Sequence, residues 1–393
     1  MTATGRTETG RTEAVLVGGR VIDPASGWDG LADVVIAGGR IAAVGPGLAD
    51  AHPDARRRDV AGRIVTPGLI DLHTHVYPGL GDFCVHPDDA GVRRGVTTVI
   101  DGGTSGVATF GLARKWIDDP SVATRILAFM DPCQLYLATK DFICHRLEIA
   151  NDPRNLDLDR AAEALETHRD VVVGLKVRAC STTDADTSPF VEGAKEVAGK
   201  LPVMVHLGRF PHTATIPTGA LLATLRPGDI ITHAFRGASG VLGAASGKVV
   251  PAFESAVAGG LRLDVGHSAT DFRFSAARQL FDQGYLPTTI STDLNIFNID
   301  GPVLSLAETM TKVWALGVPL ADVVAMATVR PAEVIGRAGV LGCLTPGCEA
   351  DVTVLRIDET PAEVSDGYET MAVERRLVAT GCLRAGTWYD AAA

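Results

Sequence analysis

Three textures of hydrophobic and polar positions divide the 393 residues of the chain. From Ala14 to about Thr66, short apolar runs are broken by Gly, Asp and Pro turns, as in AVLVGG, ADVVIAGG and RIAAVGPG. That pattern predicts a small antiparallel β unit. The same texture returns near the C-terminus in ADVTVLRID, RRLVATG and LRAGTWYD. Two β-rich ends around one long middle predict a composite domain, a small β-sandwich built from residues 14–67 and 340–393; two separate β lobes fit the same pattern. Residues 1–13 are polar and Gly/Thr-rich without an apolar core, so they read as a disordered tail and not as a signal peptide.

The middle, residues 68–339, alternates buried β-branched runs with Ala/Leu/Glu/Arg-rich stretches of helical character. Strands are expected at 69–74, 97–101, 125–130, 171–177, 202–206, 229–233, 261–266 and 288–293. Helical stretches such as LDRAAEALETHR, VEGAKEVAGKL and LAETMTKVWALG follow several of them. Eight β/α units predict a (β/α)8 TIM-type barrel, whose active sites lie at the carboxyl ends of the strands. A doubly wound open sheet is the competing α/β arrangement, but no GxGxxG turn follows the first strand to favour it.

The strand ends carry the candidate chemistry. His73 and His75 close the first strand in VTPGLIDLHTHVYPG, and period-two alternation points both to one side. Lys176 lies near the end of the fourth strand, His206 ends the fifth, His233 the sixth and Asp293 the eighth. Lys176, His206 and His233 are about one β/α unit apart, so they come from successive strands around one rim. Histidines scattered through a core would not choose the same end each time.

Imidazoles and a carboxylate suit Zn²⁺ or a similar divalent ion, and the absence of thiolates leaves a position open for water. Lys176 is the odd member, because an ammonium is repelled by a dication. Either it is a salt-bridging lysine, or CO₂ carboxylates its amine into an anionic ligand that bridges two ions. The second reading gives a natural split, with His73, His75, Lys176 and Asp293 on one ion and Lys176, His206 and His233 on the other.

Charge and cysteine content narrow the classes. Lys and Arg number 36 against 47 Asp and Glu, a formal net charge of −11. No basic stripe is available to neutralise phosphates, which excludes nucleic acid as an expected partner. No run approaches the roughly 18 apolar residues of a membrane span. The seven cysteines, at 84, 133, 144, 180, 343, 348 and 382, lack CxxC spacing. They are expected to be reduced thiols in a cytoplasmic protein.

The ligand pattern, with the VTPGLIDLHTHV and PGCEADVTVL segments, resembles the amidohydrolase superfamily over nearly the whole chain. The resemblance implies a binuclear centre with a carboxylated Lys176, hydrolysis by metal-activated water, and a proton shuttle at Asp293. More narrowly, DLHTHVYPG, GVTTVIDGG, GLKVRA, PVMVHLG, GDIITHAFRG, DVGHS and ISTDLN resemble a deacetylase-like subgroup often labelled dihydroorotase or adenine deaminase. This implies cleavage of an acyl, chiefly acetyl, ester or amide of a small carboxylic acid such as an acetylated α-hydroxy or amino acid. Cyclic amide opening and deamination are the alternatives within the superfamily, and a non-catalytic barrel scaffold is the alternative outside it. One departure stands out: after His267 the subgroup tends to be rich in glycine and serine, where this chain has SATDFRF.

The expected partners are a small carboxylate-bearing substrate and copies of the same chain. Arg178, two residues beyond Lys176, faces the same interior, where it clamps a substrate carboxylate or pairs with an acidic loop residue. His267 contacts substrate or buttresses a ligand histidine. Tyr77, Arg273 and Asn295 stand at loop positions within reach of a substrate, and Asp71 is placed to support His73. His86, His145, His168 and His212 have no comparable spacing and read as surface or loop residues.

Overall fold

The computed structural model describes residues 12–135, 149, 152–179, 187–207, 216–237 and 239–392. Most of the expected N-terminal tail, His145, His212, Cys144 and Cys180 lie outside the described residues.

Seven parallel strands are hydrogen-bonded in chain order: Leu69–Thr74, Val96–Gly106, Arg125–Asp131, Val172–Arg178, Val203–His206, Ile230–Thr232 and Arg262–Leu263. Each runs as an almost unbroken buried stretch, the pattern of a sheet covered on both faces. The eighth expected strand forms no regular ladder. Residues 288–294 instead bridge both open edges, pairing Thr289 with Asp264 on one side and Leu294 with Thr74 on the other, which closes the barrel.

Side-chain hydrogen bonds take over where that ladder is missing. Thr289 and Ser291 donate their hydroxyls to Asp264 at 2.7 Å each, and Thr292 donates to Asp71 at 2.6 Å. Helices Leu158–Thr167, Pro189–Ala198 and Leu306–Ala315 begin where Asp157, Ser188 and Ser305 accept backbone N–H bonds from Arg160, Val191 and Glu308. These caps start each helix close to the sheet it covers.

Strands from both chain ends share one eight-stranded sheet, joined where Ile64–Pro67 pairs antiparallel with Val352–Asp358. Leu16, Val34 and Ile41 from the first end pack in one apolar cluster with Val352, Val354 and Leu383 from the second. Strands from both chain ends thus build one composite β unit around a shared apolar cluster. It is tied to the barrel through Leu69, whose N–H donates to Thr353 Oγ1, and through Arg125, which pairs with Glu349 and Asp351.

A separate hairpin, Ala362–Ser365 with Thr370–Val373, leaves this sheet and reaches the barrel rim. Asp366 at its tip is buried and accepts the N–H of Phe274 at 2.8 Å, capping the helix Phe274–Phe281. Gly367, at φ 92°, sits so close to the rim loop that a Cβ there would lie 2.3 Å from the carbonyl oxygen of Ala269. Only glycine fits this approach.

One expectation fails in the β region. Cys343 and Cys348 are joined by a disulfide, so these two are not the reduced thiols anticipated. The chain folds back between them through Gly347 at φ 96°, which brings the two close without CxxC spacing. Cys84, Cys133 and Cys382 are buried. No helix among the described residues is long and apolar enough to cross a membrane.

Candidate active site

The carboxyl ends of the barrel strands gather His73, His75, Lys176, His206, His233 and Asp293 into one cluster. The rings of His206 and His233 have centroids 4.2 Å apart, and His73 stands 5.3 Å from His233 and 5.5 Å from His75. Asp293 Oδ1 lies 3.0 Å from His75 Nε2 and 3.5 Å from His73 Nε2, and Lys176 Nζ lies 3.0 Å from His73 Nε2. His233 and Asp293 both have positive φ, 62° and 53°, so the chain turns sharply just past the strand positions that carry them.

Hydrogen bonds behind the histidines fix which ring nitrogen faces the centre. Asp101 takes the Thr104 hydroxyl at 2.8 Å, and the same Oγ1 lies 2.7 Å from His75 Nδ1. Both Asp101 oxygens already accept backbone N–H groups, from Thr104 and Val76. The Thr104 hydroxyl therefore donates to Asp101 and accepts from His75 Nδ1–H, leaving the Nε2 lone pair toward Asp293. Asp264, Thr232 and His73 Nδ1 repeat the relay at 2.8 and 3.1 Å. His233 Nδ1 uses the carbonyl of Gly266 at 2.6 Å.

Electrostatics agree with this orientation. Burial, together with the Lys176 amine, holds the His73 imidazole well below its ordinary pKa. Burial also lowers His206 and His233, so three rings stay neutral with a lone pair to offer. Lys176 is pushed down to about 7 by burial and by Arg178. Burial opposes ionisation of Asp293, and positive charge at this centre favours it.

This donor set fits divalent metal. One donor atom each from His73, His233 and Asp293 lie mutually within 4.8 Å, as do those of His206, His233 and Asp271. His233 Nε2 is buried without a hydrogen-bond partner, a group that a cation would satisfy. Space is made for the cluster by Gly102, where a Cβ would come within 2.1 Å of His73 Cδ2.

A cavity of about 540 Å³ opens over the cluster. Arg178 and Asn295 line it, with Phe83, Phe297, Arg236 and the rim residues Ser268 to Asp271. Asn295 donates to the carbonyl of Asp293 at 2.9 Å and accepts from Phe297 N at 2.9 Å, so its amide holds the turn that carries Asp293.

Three expected substrate contacts stand elsewhere. Tyr77 is wholly buried behind the first strand, because the alternation ends after His75 and the ring turns into the core. His267 is also buried, its ring held between the Ser268 carbonyl at 2.7 Å and Lys312 Nζ at 3.0 Å. Arg273 stacks 3.1 Å over the Tyr368 ring of the hairpin. Asp71 supports the barrel closure through Thr292, beside His73 N at 3.4 Å.

Asp271, Arg236 and the Asp101–Thr104 and Asp264–Thr232 relays join the site without a spacing signal in the sequence. The only signal for the relays was hydroxyl-rich strand ends such as DGGTS and TTISTD. His86 caps a short helix and packs on Trp116, and His168 packs on Phe110. A second cavity, about 430 Å³, lies at the opposite end of the barrel. Its Arg226 is committed to Asp229 and to the carbonyls of Lys195, Gly199 and Leu201, so it serves packing there.

A barrel with this ring of imidazoles and carboxylate defines a hydrolytic metalloenzyme. The Amidohydrolase family model matches residues 272–374. A deacetylase of Agrobacterium fabrum is 36% identical over 350 residues, covering 88% of this chain and 83% of the relative. A deacetylase of Enterococcus faecalis is 31% identical, with 80% and 84% covered. Among solved structures, an adenine deaminase superposes with a TM-score of 0.85 at 26% identity, covering 96% of this chain and all of the other. A dihydroorotase superposes with 0.83 at 32% identity, covering 96% and 99%. The chain belongs to the amidohydrolase superfamily.

Proposed function

We propose that this hydrolase removes an acyl group, chiefly acetyl, from an ester or amide of a small carboxylic acid, using two divalent ions of the zinc type. The observation that carries the two-ion reading is Lys176. It is buried between the His73–His75–Asp293 side and the His206–His233 side, and its amine is neutral enough near pH 7 to react with CO₂. Carboxylation would replace a repelled cation by an anionic ligand suited to both ions. When bound, the ions activate water and polarise the scissile carbonyl.

The protein's own groups do the rest. Asp293, ionised and beside His75 Nε2 at 3.0 Å, accepts the proton of the attacking water and delivers it to the leaving oxygen or nitrogen. Arg178 on the cavity wall pairs with the substrate carboxylate. Phe83 and Phe297 offer an apolar wall for the remainder of the molecule. The deacetylase relatives support the acyl reading, whereas the adenine deaminase and dihydroorotase structures share the scaffold and support deamination or cyclic amide opening as the second reading.

The test is a product assay with zinc-loaded protein prepared in bicarbonate. O-acetyl and N-acetyl α-substituted carboxylic acids, adenine and dihydroorotate are supplied in turn. Acetate is the expected product, and ammonia or a ring-opened acid without acetate overturns the proposal.

A further inference from the structure

The rim loop after the seventh barrel strand brings Asp271 into the cavity, with 12% of its side chain exposed. One of its carboxylate oxygens and one ring nitrogen each of His206 and His233 lie within 4.8 Å of one another. Donors around one ion at bond lengths of roughly 2.0 to 2.2 Å stand apart by up to about twice that length, so the spacing nearly matches a shared cation. His233 has only Nε2 left to offer, because Nδ1 is held by Gly266 O at 2.6 Å, and that Nε2 is the buried nitrogen without a hydrogen-bond partner.

We propose that Asp271 is a further metal ligand, the carboxylate of the ion held by His206 and His233. The assignment rests on the two-ion reading above. Without it, that ion has imidazoles and its share of the lysine carboxylate only; Asp271 adds a full negative charge and a hard oxygen donor.

Arg236 sets the orientation of this carboxylate. Its Nη2 lies 3.2 Å from Asp271 Oδ1, and its Nη1 donates to Leu207 O at 2.7 Å, so the guanidinium is fixed by the end of the fifth-strand segment that carries His206. A carboxylate has two oxygens, and one held by an arginine leaves the other for metal, as is common behind metal-binding carboxylates. The competing role for Asp271 is that of a partner for Arg236 alone.

Zinc binding to the full chain separates these roles without reference to turnover. Metal-free wild type, Asp271→Asn, Asp271→Ala, Asp271→Glu and Arg236→Gln are titrated against a chromophoric chelator, and bound metal is counted by elemental analysis. Wild type is expected to hold two ions per chain. In Asp271→Asn and Asp271→Ala, one ion keeps its affinity and the other binds at least about tenfold more weakly, with part of the loss recovered in Asp271→Glu. Arg236→Gln retains two ions, and its cobalt-substituted form keeps an absorption spectrum close to that of wild type while Asp271→Asn does not. Two ions bound with wild-type affinity in both Asp271→Asn and Asp271→Ala overturn the assignment and leave the two-ion reading intact. A wild-type chain holding a single ion overturns that reading, and this assignment with it.

Discussion

Replacing Thr104 by Val tests the idea that hidden hydroxyls set the histidine tautomers. The two side chains have nearly the same shape, and Thr104 is fully buried, so the packing is retained. What disappears is the hydroxyl between Asp101 at 2.8 Å and His75 Nδ1 at 2.7 Å. A buried N–H left without an acceptor costs about 1–3 kcal/mol. Loss of the group behind a metal-binding histidine typically weakens metal binding by roughly 10- to 100-fold, which corresponds to about 1.4–2.8 kcal/mol.

The expected outcome for Thr104→Val is therefore a 10- to 100-fold weaker first zinc and a metal-free protein destabilised by about 1–3 kcal/mol. Thr104→Ser keeps the hydroxyl and should stay near wild type on both counts. Chelator competition gives the affinity, urea unfolding of metal-free protein gives the stability, and ¹⁵N NMR of the imidazoles reports the tautomer. Wild-type zinc affinity in Thr104→Val, with His75 still protonated at Nδ1, would refute the relay.

Other perturbations address the remaining roles. Asp293→Asn should keep most of its metal but lose about 10²- to 10⁴-fold in kcat, and full activity in that variant removes the proton shuttle. Lys176→Ala should lose metal and activity, and short carboxylic acids such as formate or propionate should restore part of both; unchanged metal content counts against the bridge. Burial pushes Lys312 from 10.5 to about 8, so the unfolded chain binds this proton more tightly. Stability should therefore rise as pH increases from about 8 toward 10.5, and Lys312→Met should lose that rise in urea titrations across the window. Equal slopes for the two proteins would dismiss the linkage.

The strand ends were legible because two regular spacings act together. Period two turned His73 and His75 the same way, and the β/α repeat put Lys176, His206 and His233 on neighbouring strands. That logic weakens where the backbone stops being regular. Residues 288–293 look like a strand by composition, but their hydroxyls bind Asp264 and Asp71 and carry part of the closure that a ladder would otherwise provide. Tyr77, His267 and Arg273 were assigned to the cavity from their place after strands, yet side-chain direction in a loop depends on partners far away in sequence. Lys312 claims His267, and Tyr368 claims Arg273. Asp271 sits in the same irregular SATDFRF segment and carried no periodic signal at all. The link between Cys343 and Cys348 depends on a local reversal of the chain that thiol spacing does not reveal.

The hairpin tip at Asp366, Gly367 and Tyr368 ties the substrate-facing rim to a segment about a hundred residues further along the chain. The shape of that rim is thus written in two places that must change together. A relative that rebuilds the rim after its seventh strand inherits a misfit with the old hairpin unless that hairpin is rebuilt as well. Grafting the rim loop alone into another barrel would carry over its residues but not its shape.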